Sequence, residues 1–152
     1  GWFSPRSSST ISVLSNKLRS TATGTGTFGS VIEITGLVVG KAYSLLCSAT
    51  SNNSTAVIRI RVADSSSLNA PVIDKSGTEA ISADSNFTAT TTTMYAGTIV
   101  TGHSAGDHID IDAGINYQNI GTGTSVRNTY VLSNGGTQWI SDLRTIDIAA
   151  QA

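Results

Sequence analysis

The sequence predicts an all-β protein: an antiparallel jelly-roll β-sandwich with a C-terminal β-hairpin extension. Three observations carry this expectation. Ser and Thr together make up 43 of the 152 residues, and Gly adds 15. Thr suits pleated strands, Ser and Gly suit turns, and a chain this poor in Lys, Glu and Leu is a weak helix former. Short apolar runs recur between Gly, Asn, Ser and Asp, which is the spacing of a sandwich or barrel. Several runs alternate with period 2. Ile58, Ile60 and Val62 oppose Arg59 and Arg61, and Ile109 and Ile111 oppose His108, Asp110 and Asp112. One apolar and one polar face mark an antiparallel sheet with one wet side.

Strands are expected over Thr10–Leu14, Lys17–Thr21, Phe28–Thr35, Ala42–Thr50, Ala56–Ala63, Asn86–Thr92, Met94–Thr101 and His108–Ile115. Ser15-Asn16 joins the first two as a tight hairpin. Ser51-Asn52-Asn53-Ser54 reads as a second hairpin tip. Asp64 to Asp84 is the longest irregular stretch and holds Pro71, which disfavours a central strand. It is either a functional loop or a strand-bearing crossover between two sheets. Tyr43 runs in step with Leu45 and Cys47, so all three belong in the core. Trp2 belongs there too. The sandwich is expected over residues 1–117. Residues 118–152 form the extension, with Asn134-Gly135-Gly136 as a hairpin turn between Thr129–Leu132 and Gln138–Ile140. This extension has no core of its own and must rest on the sandwich or on a neighbouring subunit.

Composition also excludes. Charged residues are 12% of the chain and net charge is −1, so nothing favours nucleic acid. No apolar run approaches the ~18 residues of a membrane-spanning helix, and no membrane insertion is expected. Disorder would need higher net charge and fewer apolar runs. Cys47 is the single cysteine, which leaves no intrachain disulfide and no cysteine zinc site. The chain opens on Gly1-Trp2-Phe3 with no signal peptide, as a processed protein or an excised fragment would.

One arrangement over residues 17–112 carries a resemblance. Lys17-Leu18-Arg19 is followed by a Gly-rich turn, then Ile32-Glu33-Ile34-Thr35-Gly36-Leu37 and Gly40-Lys41-Ala42-Tyr43-Ser44-Leu45. Ile58-Arg59-Ile60-Arg61-Val62, Phe87-Thr88-Ala89 and Met94-Tyr95-Ala96 come next. Gly106-Asp107-His108-Ile109-Asp110-Ile111-Asp112 closes the set. This resembles the jelly-roll carbohydrate-binding modules of the family 4/9/22 type, of a kind also found in bacteriophage tail and virion proteins. The resemblance implies a non-catalytic glycan-binding module, and such modules often carry a structural calcium.

The candidate site residues follow. Trp139, Tyr95 and Tyr130 are aromatic platforms for a sugar, with Arg59 and Arg61 as polar partners. No cofactor is expected apart from calcium, whose oxygen ligands would be Asp107, Asp110 and Asp112. The competing reading of that acidic face is a solvated strand paired with Arg59 and Arg61. Asp110 and Asp112 also have the spacing of a glycosidase pair. Only His103 and His108 could serve zinc. Asn52, Asn53 and Asn86 begin Asn-x-Ser/Thr sequons, relevant only in a secreted eukaryotic protein. The functional expectation is a phage tail-fibre or tailspike-type virion module that binds a cell-surface glycan. It would be homotrimeric, contact other virion subunits and reside on the extracellular particle. The alternatives are a capsid decoration (cement) protein acting only through protein–protein contacts, or a carbohydrate-binding accessory domain of a secreted polysaccharide-degrading enzyme.

Overall fold

The computed structural model describes residues 2–4, 8–14, 17–117, 126–127, 129–131 and 146–147. The strands in chain order are β1 Trp2–Phe3, β2 Ser9–Leu14, β3 Lys17–Ala22, β4 Phe28–Ile34, β5 Ala42–Ser51, β6 Val57–Ala63 and β7 Ile73–Thr78. They continue as β8 Ala80–Thr88, β9 Met94–Thr101, β10 His108–Tyr117, β11 Val126–Arg127, β12 Thr129–Val131 and β13 Ile146–Asp147. No helix occurs among the described residues.

Two antiparallel sheets face each other. One has the order β1-β4-β9-β6-β7, the other β2-β3-β10-β5-β8, with β12 pairing β10 beyond the end of β3. The alternation read in the sequence sets which side of each strand is dry. Ile58, Ile60 and Val62 of the five-stranded sheet are fully buried, as are Ile109 and Ile111 of the six-stranded sheet. Leu45, Cys47 and Ala49 of β5 join them, with Phe28, Met94 and Val100 from the opposite sheet. Each fully buried large aliphatic or aromatic side chain contributes about 1.5–3 kcal/mol. Tyr43 is buried as expected, stacked on Phe87 at 5.6 Å between centroids, and its hydroxyl accepts the Val38 N–H at 2.8 Å.

Two expectations are corrected and a third is decided. Ser51–Ser54 is not a hairpin tip, because β5 and β6 lie in different sheets and this segment crosses between them. The strand expected at Asn86–Thr92 is β8, which starts at Ala80 and ends at Thr88. The Asp64–Asp84 stretch contains β7 and the start of β8, so its crossover reading holds. Glu79, at φ 66°, separates the two strands and takes the chain from one sheet to the other. Thr, Ser, Asp and Lys at exposed positions hid these strands, because both lie at sheet edges where little has to be apolar.

The remaining segment, residues 64–72, folds back over the outer face of the five-stranded sheet. Leu68 is fully buried there against Val31, Ala63 and Ile99, with Tyr95 packed alongside. Arg61 Nη1 donates to the Leu68 carbonyl at 3.3 Å, and Leu68 N–H donates to Ser65 O at 2.9 Å. Leu68 has φ 57° and Ala70 φ 49°, a left-handed geometry that costs each about 1–2 kcal/mol. Burial of one leucine therefore holds a strained loop in place. The same face has room for little else at Gly97, where a Cβ would come 2.1 Å from Ser30 O of the neighbouring strand.

Leu68→Ala removes the plug and leaves a cavity, so equilibrium denaturation should show a loss of about 2–4 kcal/mol. Limited proteolysis should then cut within residues 64–72 before it cuts any strand.

Candidate functional site

The residues chosen from the sequence fall on opposite sides of the sandwich. Arg59, Arg61 and Tyr95 share the outer face of the five-stranded sheet, since Arg61 pairs with Gly97 and Ala63 with Tyr95. Both arginines are engaged there by Asp74 of β7, at 3.1 Å from Arg59 and 2.9 Å from Arg61. Arg61 and Arg59 hold the carboxyl of Asp74 below the usual carboxylate range, chiefly through the Arg61 hydrogen bond. Tyr95 meets Phe3 edge-on at 6.4 Å. With Leu68 over this face, much of it is already covered.

The acidic strand lies on the other sheet, and this overturns its supposed pairing with Arg59 and Arg61. Asp110 is held by Arg19, which donates from Nε at 2.7 Å and Nη2 at 2.8 Å in a two-pronged contact. β3 and β10 place the two residues directly opposite each other. The Arg19 hydrogen bond, more than its charge, lowers the Asp110 pKa. Asp107 is not on the strand. It sits in the 102–107 link, where its carboxylate accepts Asn53 Nδ2 and Ser104 N–H, both at 2.8 Å. The Asn53 contact is the main cause of its lowered pKa. Asp107 and Asp110 thus spend their carboxylates on protein donors, and among the described residues no cluster of three metal-ligating side chains exists. His103 packs its ring edge-on to Phe28 at 4.4 Å, with Nε2 3.1 Å from Gly24 O, as a loop residue would. The side chains of Trp2, Asp112 and Tyr130 and the whole of Trp139 lie outside the described residues. The backbone of Tyr130 pairs with Ile115.

A different surface emerges from the six-stranded sheet, on the side away from the core. Its registers form a grid. Arg19, Asp110, Thr50 and Ala80 make one row across four strands. Asp112, Ser48 and Ser82 make the next, then Gly114, Leu46 and Asp84, then Asn116, Ser44 and Asn86. Ala42 and Thr88 end the grid. Short hydroxyl and amide side chains surround Leu46, which is 42% exposed with a glycine on one flank. Beyond Asn86 the face runs into an open recess of about 410 Å³ lined by Ala42, Val72, Asn86, Phe87, Thr88 and Thr90. Ser44 Oγ donates to Asn86 Oδ1 at 2.7 Å, which fixes the amide. Exposed hydrocarbon from Leu46 and Val72 thus lies beside oriented donors and acceptors. That combination can receive the C–H face and the hydroxyls of a sugar.

Sequence reasoning passed over Ser44, Leu46, Ser82 and Asp84, and met Asn86 only as the start of a sequon. The available signal was the other half of an alternation already noted. If Tyr43, Leu45 and Cys47 point inward, Ser44, Leu46 and Ser48 must point outward.

Solved structures of the same architecture exist. A family 4 carbohydrate-binding module aligns over 77% of this chain and 86% of its own, with TM-score 0.58 and 15% identity. The N-terminal cellulose-binding domain of β-1,4-glucanase C from Cellulomonas fimi aligns over 78% of this chain and 89% of its own, with TM-score 0.58 and 16% identity. The chain has the carbohydrate-binding-module jelly-roll fold. A third structure, the CBM22-1–GH10 modules of xylanase 10B from Clostridium thermocellum complexed with xylohexaose, covers 77% of this chain at TM-score 0.58 and 16% identity. There the match spans only 26% of the longer protein. No family model matches the sequence, and no curated protein matches it.

Asp74, Asp107 and Asp110 all have lowered pKa values in the fold. Their stabilisation is complete above the ordinary carboxylate pKa of 3.8 and is lost as pH falls below it through the folded values. Thermal midpoints measured against pH should therefore drop on that acid limb, and Asp110→Asn should flatten it. Dialysis against EDTA should leave the midpoint unchanged, since calcium at Asp110 would have to displace Arg19. A fall on chelation would restore the calcium expectation.

Proposed function

We propose that the chain is a non-catalytic glycan-binding module that holds its sugar on the outer face of the six-stranded sheet. The observation that carries this is the polar grid around exposed Leu46, continuous with the recess at Asn86. The names of the fold neighbours, a cellulose-binding domain and xylanase modules with a bound xylo-oligosaccharide, agree with it. On this face the Arg19 and Asp110 charges pair with each other, and apart from Asp84 the described side chains beside Leu46 are uncharged. That suits a neutral polysaccharide chain, recognised by hydrogen bonds and aliphatic contact.

A catalytic role for the acidic strand does not suit the geometry. A general acid needs a raised pKa and a free proton, whereas Asp110 is kept ionised by Arg19. The setting we infer is extracellular. An accessory domain of a secreted polysaccharide-degrading enzyme accords with two of the fold neighbours. A tail-fibre or tailspike setting beside other virion subunits rests on the Ser/Thr/Gly-rich, weakly charged composition.

Affinity electrophoresis against a panel of soluble plant and bacterial surface polysaccharides tests the proposal, with calorimetry on any that bind. At least one should retard the protein. Asn86→Ala, which removes the oriented amide, should weaken binding by about 10-fold, and Leu46→Ala should weaken it as well. Arg59→Ala and Arg61→Ala, on the far face, should leave affinity unchanged. The reverse pattern would move the site to Tyr95 and the two arginines. Retention by no polysaccharide would leave the decoration-protein reading in its place.

A further inference from the structure

The edges of the sandwich are unequally defended. At one end of the five-stranded sheet, β1 is two residues long and Pro5 follows in the sequence. At the other end, Lys75 of β7 lies opposite core-facing Ile60, so a lysine sits on the inward side of an edge strand. Short edges, proline and inward lysines all discourage pairing with another chain. In the six-stranded sheet, edge strand β8 carries Asp84. β2, at the other edge, reads Ser9-Thr10-Ile11-Ser12-Val13-Leu14, with no charge, proline or glycine. Among the described residues it pairs only with β3. Leu14 is 48% exposed.

The backbone at this edge is held extended and its free groups can be assigned. Ser9 Oγ donates to Gly29 O at 2.9 Å, and Thr23 N–H donates to Ser8 O at 2.8 Å. Antiparallel ladders alternate between hydrogen-bonded and non-bonded pairs. Since Ser8 is bonded to Thr23, Thr10, Ser12 and Leu14 face β3 with their backbone groups. The N–H and C=O groups of Ser9, Ile11 and Val13 face away from it.

We propose that the free edge of β2 is a homotypic interface, taken by β2 of a second copy of this chain. Self-pairing demands two parities at once. Directly opposed residues must point to the same face, and bonded pairs must join outward-facing backbone groups. In β2, as along any antiparallel edge strand, both conditions select the same registers. With Ile11 opposite Ile11, or with Ile11 opposite Val13, Ile11 and Val13 of both copies remain on the core side. Ser9, Ile11 and Val13 then supply the bonds. No charge opposes another across the twofold axis, so nothing in the strand rejects its own copy. The axis stands normal to the sheet, and the two outer faces look the same way.

Sedimentation velocity across a wide concentration range, with amide hydrogen exchange in parallel, tests this. Mass should double as concentration rises. Ser9, Ile11 and Val13 amides should gain protection over the same range, while Thr10, Ser12 and Leu14 are protected throughout. The double variant Thr10→Glu/Ser12→Glu places like charges opposite each other in either register, on exposed side chains. It should abolish the dimer and keep the wild-type thermal midpoint. A monomer at every concentration, or a dimer that survives the double variant, would overturn the proposal. So would protection of Ser9, Ile11 and Val13 that is independent of concentration, which would mean that the chain's own residues hold the edge. If the double variant misfolds, the exchange pattern of the wild type decides alone.

Discussion

Two sheets, each with one hydrocarbon face, can satisfy those faces only by closing on each other, and every other feature of this protein answers to that requirement. Ile58, Ile60 and Val62 must meet Leu45, Ile109 and Ile111. Once they do, the alternate residues of the same strands are committed to the outside. The arginines of β6, the serines of β5 and Asp110 of β10 hold their places for that reason. Their chemistry comes afterwards: Asp74 gathers Arg59 and Arg61 on one outer face, and Arg19 grips Asp110 on the other.

Where burial is strong, the sequence could be read directly. Met94–Thr101 is a strand with the bounds expected, and Tyr43, Cys47, Ile58 and Ile109 are buried as their spacing implied. Where burial is weak, the reading failed. β7 turns Ile73, Lys75 and Gly77 toward the interior, but only Ile73 is buried and apolar, and its other positions are Asp, Ser and Thr. Periodicity has nothing to register in such a strand. The sheet crossings were equally opaque. Ser51–Ser54 has the composition of a hairpin tip, and local residues do not reveal that the next strand joins a different layer.

The candidate site divides along the same line. Aromatic residues, arginines and acids attract attention in a sequence because they are rare and chemically loud. The surface that best fits a ligand is made of Ser44, Leu46, Ser82, Asp84 and Asn86, which are ordinary residues made useful by register. Asn86 lies 42 positions from the serine that orients it. Only strand pairing brings them together, and pairing between β5 and β8 rests on a strand the sequence had half concealed.

The strand order also governs how the protein can be made. β9 separates β4 from β6, and β10 separates β3 from β5. As the chain leaves the ribosome, neither sheet can close until its last central strand has arrived, because β4 and β6, like β3 and β5, are not each other's neighbours. Everything before Met94 therefore waits as hairpins and unpaired edges, and chains arrested before Tyr117 lack the full length of the strand that joins β3 to β5. Folding here is a late, all-at-once event of long-range closure, slow by nature and exposed to chaperone capture during synthesis.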